Sequence, residues 1–334
     1  MNARLAILIA AVSIAALAGC GEKSEKHSGE AERFDLALDF YVNPDHAGIY
    51  TALERGYFED AGLDVRPQVP SDPAAPIKQV AAGRADLAIS YEPEVLLARD
   101  QGLDVVAVGA LVQEPLSSLI STGEAGIEDV PDLEGKTIAT AGIPYQDTFL
   151  DAILERDDLS RDDVSVVNVG LNLLPAVISG RADAMLGGFR NIEGVDLELR
   201  GDDPRVVPVD ELGIPTYDEL VIVANGRRAA EDPESIRLFL AALERGTALA
   251  ARDPELATEA VLEAGDGLDP KLTAAWTEAT VPLLLPPGDE DYGFMEPREW
   301  EKFIGFMADE GDISTRFTTS EVLTNELLPG AIPE

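Results

Sequence analysis

Apolar and polar residues alternate with two different periods along most of the chain, and the change from one to the other predicts strands and helices in turn. Residues 36–41 alternate with a period of two, as a half-buried strand does, and Asn43-Pro44-Asp45 then breaks the pattern. From about His46 onwards apolar residues recur at helical spacing. The same reasoning predicts further strands at 63–69, 87–90, 105–112, 117–121, 135–141, 164–169, 184–187 and 220–225.

Helices are predicted between these strands, at 76–82, 93–101, 146–155 and 174–178. Strands that alternate with helices indicate an α/β fold whose sheets are mostly parallel and covered on both faces. After the last strand the pattern becomes helical, at 233–251, 254–263, 270–279 and 297–309, and several of these helices have proline in the first turn. Trp276 and Trp300 are expected in the core, and 283–289 is expected to be a loop.

A short internal repeat suggests two similar halves. Residues 81–90 and 178–187 both contain Gly-Arg-Ala-Asp followed by a short apolar strand. In each copy the glycine suits the left-handed cap at the end of a helix. The repeat predicts two α/β lobes, although a chance match in a chain rich in glycine and alanine is the alternative. The strand at 220–225 is expected to return to the first lobe, which then comprises 34–117 and 220–334, while the second comprises 118–219.

The first 20 residues differ from the rest and read as an export signal. A charged start is followed by an apolar run that ends in Leu17-Ala-Gly-Cys20, which resembles a bacterial lipobox. Cys20 is the only cysteine, so its lipidation would leave no disulfide or cysteine–metal chemistry. The alternative is a plain signal peptide with an incidental cysteine. With 21–33 as a flexible tether, we expect an exported protein that is lipid-anchored to a membrane, on the periplasmic or cell-surface side.

The charge is strongly acidic, with 25 basic and 63 acidic side chains and a net charge of −38. Nucleic acids and anionic surfaces are poor partners for such a field. Lysine is scarce as well, and an acidic, lysine-poor surface is typical of adaptation to high salt, where screening removes the self-repulsion. The charge alone does not identify a ligand.

Five loops at the ends of predicted strands combine aromatic rings with carboxylates and amides. In open α/β sheets ligands bind beyond the carboxyl ends of the strands, beside helix N-termini. Glycines in two of these loops would let backbone approach a ligand. The candidate binding residues are Tyr41, Asn43, His46, Tyr91, Glu92, Gly142, Tyr145, Gly188, Phe189, Asn191, Glu193, Tyr217 and Glu219.

The chemistry of this set favours a small, flat heterocycle that carries an amine. Carboxylates accept hydrogen bonds from an exocyclic amine or a protonated ring nitrogen, and aromatic side chains stack on rings. An oxyanion would require basic groups, of which only Arg190 is present, and it can pair with Glu193. The chain has no nucleophile elbow, no phosphate-binding glycine loop and no histidine-rich metal spacing. We therefore expect a binding protein without catalytic residues, metal or cofactor.

Several of these segments together resemble the NMT1/THI5-like family, and more narrowly the lipoproteins that feed thiamin pyrimidine precursors to ABC importers. The segments are 38–50, 91–97, 187–194 and 217–220, and the resemblance extends from about 34 to 225. It implies a two-lobed periplasmic-binding-protein fold of type II with a two-strand hinge. It also implies delivery of the ligand to a membrane permease with a cytoplasmic ATPase. The implied ligands are hydroxymethylpyrimidine and N-formyl-4-amino-5-aminomethyl-2-methylpyrimidine, with Glu193 as acceptor for the pyrimidine amine.

Three alternatives remain open at this stage. The fold could bind another ligand, such as a riboflavin-like heterocycle, a sulfonate or nitrate. It could be a ligand-sensing subunit of a membrane receptor. The superfamily also includes a eukaryotic enzyme that makes the pyrimidine from its own histidine and pyridoxal phosphate. That enzyme fits less well, because it resembles a cytosolic protein with a cysteine-rich motif whereas this chain has one cysteine and an export signal.

Overall fold

The structure is a computed structural model that describes residues 31–286 and 291–330. The export signal, the lipidation of Cys20, most of the tether and the loop tip at 287–289 lie outside the described residues. In the part of the chain that is described, no helix is both long and apolar enough to cross a membrane.

In the described part of the chain, ten strands form two five-stranded sheets with the same topology. The first sheet has the order β2-β1-β3-β10-β4 and the second the order β7-β6-β8-β5-β9. Their bounds are β1 (Glu32–Ala37), β2 (Leu63–Gln68), β3 (Leu87–Ser90), β4 (Val105–Val112), β5 (Ser117–Ser121), β6 (Thr137–Thr140), β7 (Ser165–Asn168), β8 (Ala184–Phe189), β9 (Arg205–Pro208) and β10 (Leu220–Asn225). The sheets are mixed rather than mostly parallel, because β10 and β5 run antiparallel to both of their neighbours. The α/β, two-lobed class is confirmed.

Helices flank both sheets and make up most of the chain after β10. The helices are α1 (Ala47–Glu54), α2 (Tyr57–Asp60), α3 (Pro76–Ala81), α4 (Glu92–Asp100), α5 (Tyr145–Arg156), α6 (Leu173–Ile178), α7 (Val195–Arg200), α8 (Gly226–Glu231), α9 (Pro233–Arg252), α10 (Pro254–Ala264), α11 (Pro270–Thr280), α12 (Pro297–Asp309) and α13 (Thr319–Val322). Three of the C-terminal helices begin alike, because Asp232, Asp253 and Asp269 each cap a helix whose first residue is proline. Trp276 and Trp300 are buried in the core, as predicted.

The internal repeat has a structural cause. Gly83 and Gly180 both have left-handed backbone, with φ of +66° and +69°, and each ends a helix before β3 or β8. The aspartates of the two copies then perform the same task. Asp86 accepts a hydrogen bond from the Asp35 backbone N–H at 2.6 Å, and Asp183 accepts one from the Thr137 N–H at 2.7 Å. Each lobe therefore fixes its central strands with the same local device.

The first strand begins and ends earlier than predicted. It starts at Glu32, inside the expected tether, and its pairing with β3 stops at Ala37. The chain turns there instead of continuing to Tyr41, and the Asp39 carboxylate is drawn into the interior, where two side chains hydrogen-bond to it. Residues 38–43 thus form a loop at the end of the strand.

The chain crosses between the sheets twice, at 113–116 and at 209–219. Helix α11 touches both lobes, because it packs on the turn at Pro44–His46 and also on the segment that follows β8. The lobes are consequently in contact around a shared cavity.

Candidate functional site

A narrow cavity lies between the lobes at the ends of their central strands. Including the open solvent at its mouth, the space is about 390 Å³, and little of it is wide enough for a water molecule. We refer to this narrow cavity as the slot. Its walls are Asp39, Phe40, Tyr41, Asn43 and Tyr91 from the first lobe and Ala141, Ile143, Tyr145, Leu173, Gly187, Phe189, Ile192 and Glu193 from the second.

The first-lobe wall is built by a capped turn. The Asn43 side chain accepts a hydrogen bond from the Asp45 N–H at 2.8 Å, and the Asn43 N–H donates to His46 Nδ1 at 3.4 Å. With Nδ1 as acceptor, His46 Nε2 carries the proton that it donates to Asp39 Oδ1 at 2.9 Å. Tyr91 donates to the other oxygen, Asp39 Oδ2, at 3.1 Å. A carboxylate in the cavity wall is thereby held in one orientation by two buried donors.

Glu193 supplies a second carboxyl from the opposite lobe. It lies on a π-helix, Arg190–Gly194, that directly follows β8. The Phe189 N–H donates to Glu193 Oε2 at 2.8 Å, and the Tyr41 hydroxyl reaches across from the first lobe to Oε1 at 3.4 Å. Burial raises the pKa of Glu193 from 4.5 to about 7. Near neutral pH this carboxyl can therefore accept or give up a proton when a ligand arrives.

Aromatic rings occupy much of the remaining wall. Tyr41 lies against Phe40, with ring centroids 4.7 Å apart, and Tyr91 lies against Tyr145 at 5.5 Å. Burial raises the pKa of Tyr41, Tyr91 and Tyr145 well above the usual value, so all three phenols are neutral donors at physiological pH. A slot with ring faces and carboxyls suits a flat ligand that donates hydrogen bonds.

The structure brings part of the predicted set to the cavity and places the rest behind it. Tyr41, Asn43, Tyr91, Tyr145, Phe189 and Glu193 line the slot, whereas the other candidates do not: His46, Glu92, Gly142, Gly188, Asn191, Tyr217 and Glu219. His46 is fully buried behind Asp39 and orients that carboxylate. Asn191 lies in the contact between the lobes, where it donates to Asp45.

Glu219 joins the two crossings between the lobes and does not face the cavity. Its Oε2 accepts from the Leu116 N–H at 2.8 Å, the Ser117 N–H at 2.7 Å and the Tyr217 hydroxyl at 2.8 Å, and its Oε1 accepts from the Ser117 hydroxyl at 2.9 Å. Burial raises the pKa of Glu219, and these donors oppose the rise. Tyr217 packs its ring on Phe303 of α12, at 5.1 Å. Both residues thus hold the hinge region together.

Glu92 lies near the same crossing, where its Oε2 accepts from the Asp218 N–H at 2.8 Å. Burial and the nearby Asp218 raise the pKa of Glu92 well above its usual range. Asp218 in turn accepts a hydrogen bond from the indole of Trp300 at 2.7 Å. The two side chains predicted from the loop at 90–93 therefore face different regions. Tyr91 faces the cavity, and Glu92 faces the crossing at 209–219.

Gly142 and Gly188 lie against close side-chain neighbours inside the second lobe. A Cβ at Gly142, which has φ of +77°, would lie 2.0 Å from Asn168 Nδ2, and one at Gly188 would lie 2.9 Å from Met185 Sδ. The sequence suggested that Arg190 pairs with Glu193, but the structure does not contain this pair. It forms an ion pair with Glu114 at 3.0 Å and donates to the Pro115 carbonyl.

Sequence reasoning missed seven lining residues: Asp39, Phe40, Ala141, Ile143, Leu173, Gly187 and Ile192. Asp39 carried a signal, since an acid in an apolar strand pattern needs a buried partner, but the pattern was interpreted as alternation. The apolar ones are no different in sequence from core residues. Among the described residues, no group of three or more histidine, cysteine, aspartate or glutamate side chains could hold a metal ion.

Comparison with known proteins places this site in a family context. Residues 43–257 match the family described as NMT1/THI5 like. The chain is 33% identical over 292 residues to a putative thiamine biosynthesis protein of Haemophilus influenzae, covering 87% of this chain and 91% of that protein. It is 31% identical over 299 residues to a formylaminopyrimidine-binding protein of Halalkalibacterium halodurans, covering 89% and 91%.

Two weaker similarities are to an enzyme and to the fold of a protein of known structure. A 4-amino-5-hydroxymethyl-2-methylpyrimidine phosphate synthase of Aspergillus parasiticus is 28% identical over 239 residues, covering 68% of this chain and 69% of the enzyme. The structure superimposes with a TM-score of 0.68 on the alkanesulfonate-binding protein SsuA of Xanthomonas axonopodis, at 17% identity and with coverage of 89% and 99%. At that identity the match establishes the periplasmic-binding-protein fold and no more.

Proposed function

The chain belongs to the NMT1/THI5-like family, and from this premise we propose that it is the extracytoplasmic substrate-binding component of an ABC importer. Its ligand is a thiamin pyrimidine precursor, hydroxymethylpyrimidine or its formylamino-aminomethyl analogue, held between the two lobes. The observation that carries the proposal is the pair of oriented carboxyls, Asp39 and Glu193, which face one narrow slot from opposite lobes.

These two carboxyls suit the edge of an aminopyrimidine. The ring carries an exocyclic amine, which donates two hydrogen bonds, and ring nitrogens that can take up a proton. Asp39 already accepts hydrogen bonds from His46 and Tyr91, and its remaining lone pairs accept from the amine. Glu193, with its pKa raised to about 7, can share a proton with a ring nitrogen. Phe40, Tyr41 and Phe189 provide the faces between which a flat ring lies.

A role in pyrimidine synthesis is less well supported by the same geometry. His46 is fully buried and bonded through both ring nitrogens, so it is a structural residue in this arrangement. The lining residues that are described include no lysine to form a Schiff base with pyridoxal phosphate. The formylaminopyrimidine-binding relative also aligns over more of the chain than the synthase does.

The proposal extends to location and partners. Lipidation at Cys20 would anchor the exported protein to a membrane, and the lobes would deliver the ligand to a permease with an ATPase on the far side. The acidic surface, with a net charge of −38, is suited to basic rather than anionic partners, and nucleic acid is not among them.

Thermal-shift titration of the purified protein tests the ligand assignment. We expect hydroxymethylpyrimidine or its formylamino-aminomethyl analogue to stabilise the fold by about 2.7 kcal/mol at one hundred times its dissociation constant, whereas riboflavin, taurine and nitrate give no shift. The ligand-induced shift should be lost in Asp39→Asn and Glu193→Ala. It should persist in Glu94→Gln, which alters an equally buried carboxyl outside the cavity. A shift with taurine or nitrate alone would disprove the ligand assignment.

A further inference from the structure

A buried polar contact joins the two lobes beside the cavity. Asp45 belongs to the turn after β1, and Asn191 belongs to the π-helix after β8. Asn191 Nδ2 donates to Asp45 Oδ1 at 2.8 Å and to Thr280 Oγ1 of α11 at 2.8 Å. All three side chains are at most 3% exposed. The contact can exist only while the lobes are together.

Among the described residues, two oxygens of this contact have no hydrogen-bond donor. Asp45 Oδ2 and Asn191 Oδ1 are both buried and unpartnered, and they belong to side chains that already touch through their other polar atoms. An ionised carboxylate in that position would be a buried charge whose second oxygen has no donor, which is strongly unfavourable. The two oxygens require a hydrogen-bond donor or a cation.

A metal ion does not meet this need as well as a proton does. Sodium-like and calcium-like ions prefer six or more oxygen ligands, and this contact offers two free oxygens with the Thr280 hydroxyl alongside. A proton needs only the two oxygens. An acid and an amide that already share one N–H···O bond complete a ring when the acid hydroxyl donates to the amide oxygen.

We propose that Asp45 carries a proton in this arrangement and forms a cyclic acid–amide pair with Asn191 that fastens the two lobes together. The Asp45 Oδ2 hydroxyl donates to Asn191 Oδ1 while Asn191 Nδ2 donates to Asp45 Oδ1. The proton is taken from solvent as the lobes close. The pair depends on the contact between the lobes and not on which ligand the protein binds.

The surroundings of Asp45 favour the neutral acid. Burial raises its pKa well above the usual value, and the negative charges of Asp39, Glu193 and Glu219 raise it further, against the opposing bond from Asn191. Among the described residues the facing basic group is His46, which is committed to Asp39. The helices that pack on this turn add half-buried Tyr50 and exposed ionisable groups only: Glu54, Glu255, Glu259, Glu263, Lys271 and Glu278.

The pair makes closure dependent on pH in a definite direction. In separated lobes Asp45 meets water and has the ordinary aspartate pKa of about 3.9. Closed lobes bind one more proton between that pH and the raised pKa. The closed arrangement is therefore favoured fully below about pH 4 and loses up to tenfold in its equilibrium constant per pH unit as the pH rises to the raised pKa. Above that pKa the dependence ends.

Urea unfolding of the purified, ligand-free protein between about pH 5 and pH 8 tests the pair. In Asp45→Asn the new amide donates to Asn191 without needing a proton. We therefore expect the ratio of unfolding constants, wild type over variant, to rise by up to tenfold per pH unit. Asp86→Asn is the control for removing a carboxyl from the same lobe, because Asp86 accepts from the Asp35 N–H and pairs with Arg228, away from the contact between the lobes. The pH dependence of the ratio for Asp45→Asn should exceed that of this control. A constant ratio for Asp45→Asn would overturn the proposal.

A measurement on the unaltered protein keeps the inference testable if the variant does not fold. Carbon-detected NMR reads the protonation of the Asp45 carboxyl directly, through its side-chain connection to the assigned backbone. We expect the shift of a protonated acid at pH 7. The shift of an ionised carboxylate at pH 7 would overturn the proposal.

Discussion

The buried Glu193 carboxyl should lower the free energy of unfolding as the pH rises, and the Glu193→Gln variant should show by how much. The side chain is 5% exposed, and burial raises its pKa from 4.5 to about 7. Glutamine has nearly the same shape. Its carbonyl oxygen can accept from the Phe189 N–H as Glu193 Oε2 does, while the Tyr41 hydroxyl can turn to accept from the new amide.

The magnitude follows from proton linkage. Because the folded-state pKa is raised, the folded protein binds more protons than the unfolded chain between pH 4.5 and about 7. The contribution of Glu193 to stability is therefore greatest below pH 4.5 and falls as the pH rises through about 7. Each pH unit is worth about 1.4 kcal/mol, so the full change is about 3 kcal/mol. Glutamine does not titrate, and the variant should gain that amount relative to wild type between pH 4.5 and pH 8.

Urea denaturation of both proteins across this pH range, without ligand, measures the difference in unfolding free energy. Glu94→Gln provides the matched control. Glu94 is also buried, its pKa is also raised to about 7, and it accepts from the Ser90 hydroxyl at 2.9 Å, but it does not line the cavity. Both variants should become relatively more stable as the pH rises, and only Glu193→Gln should lose ligand binding. A stability difference for Glu193→Gln that stayed flat with pH would refute the assignment of a buried, proton-binding carboxyl.

Three further substitutions test the framework of the site. Glu219→Ala should lower the unfolding free energy measured in urea by about 3 to 5 kcal/mol, because it leaves four buried donors without an acceptor. Glu219→Gln should cost less than half of that. Equal costs for the two variants would contradict the role of Glu219 in joining the crossings. Gly187→Ala should lower the unfolding free energy by at least about 2 kcal/mol, because φ is +87° and the new Cβ would lie 2.1 Å from Gln146 Nε2. An unchanged midpoint of urea unfolding would refute this. His46→Phe should weaken calorimetric binding of the ligand at least tenfold by freeing the Asp39 carboxylate, and affinity equal to wild type would show that His46 does not orient it.

The sequence was informative about each lobe and uninformative about what crosses between them. Periodicity and the glycine caps predicted most strands and helices because these depend on residues close in the chain. The asparagine-capped turn at 43–46 was recognisable for the same reason. The bond between Tyr41 and Glu193 joins residues 152 positions apart, and no local pattern reports such a pair.

The same limit explains why some of the predicted site residues lie outside the cavity. Glu219 looked like a ligand group because it ends a loop before a strand, yet its partners are backbone amides 102 and 103 positions away. Glu92 looked like a helix-start acid facing a cleft, and its partner Asp218 is 126 positions away. A carboxylate at a strand end can accept hydrogen bonds from a ligand or from the segments that connect the lobes. Which of the two it does depends on how the second crossing packs.

The fold itself does not decide the ligand either, since a solved alkanesulfonate-binding protein shares it at 17% identity. The charges of the side chains in the cavity decide which kind of ligand can bind. An ionised sulfonate at about 4 Å from one carboxylate would meet a repulsion of about 4 kcal/mol at an effective dielectric constant of 20, and Asp39 and Glu193 present two such groups. Escaping the repulsion would require protonating both, and Asp39 is already held as an acceptor by two donors. An amine reverses the sign of the same interaction. We therefore expect a ligand that donates hydrogen bonds, selected by the side chains at the strand ends and not by the lobes that carry them.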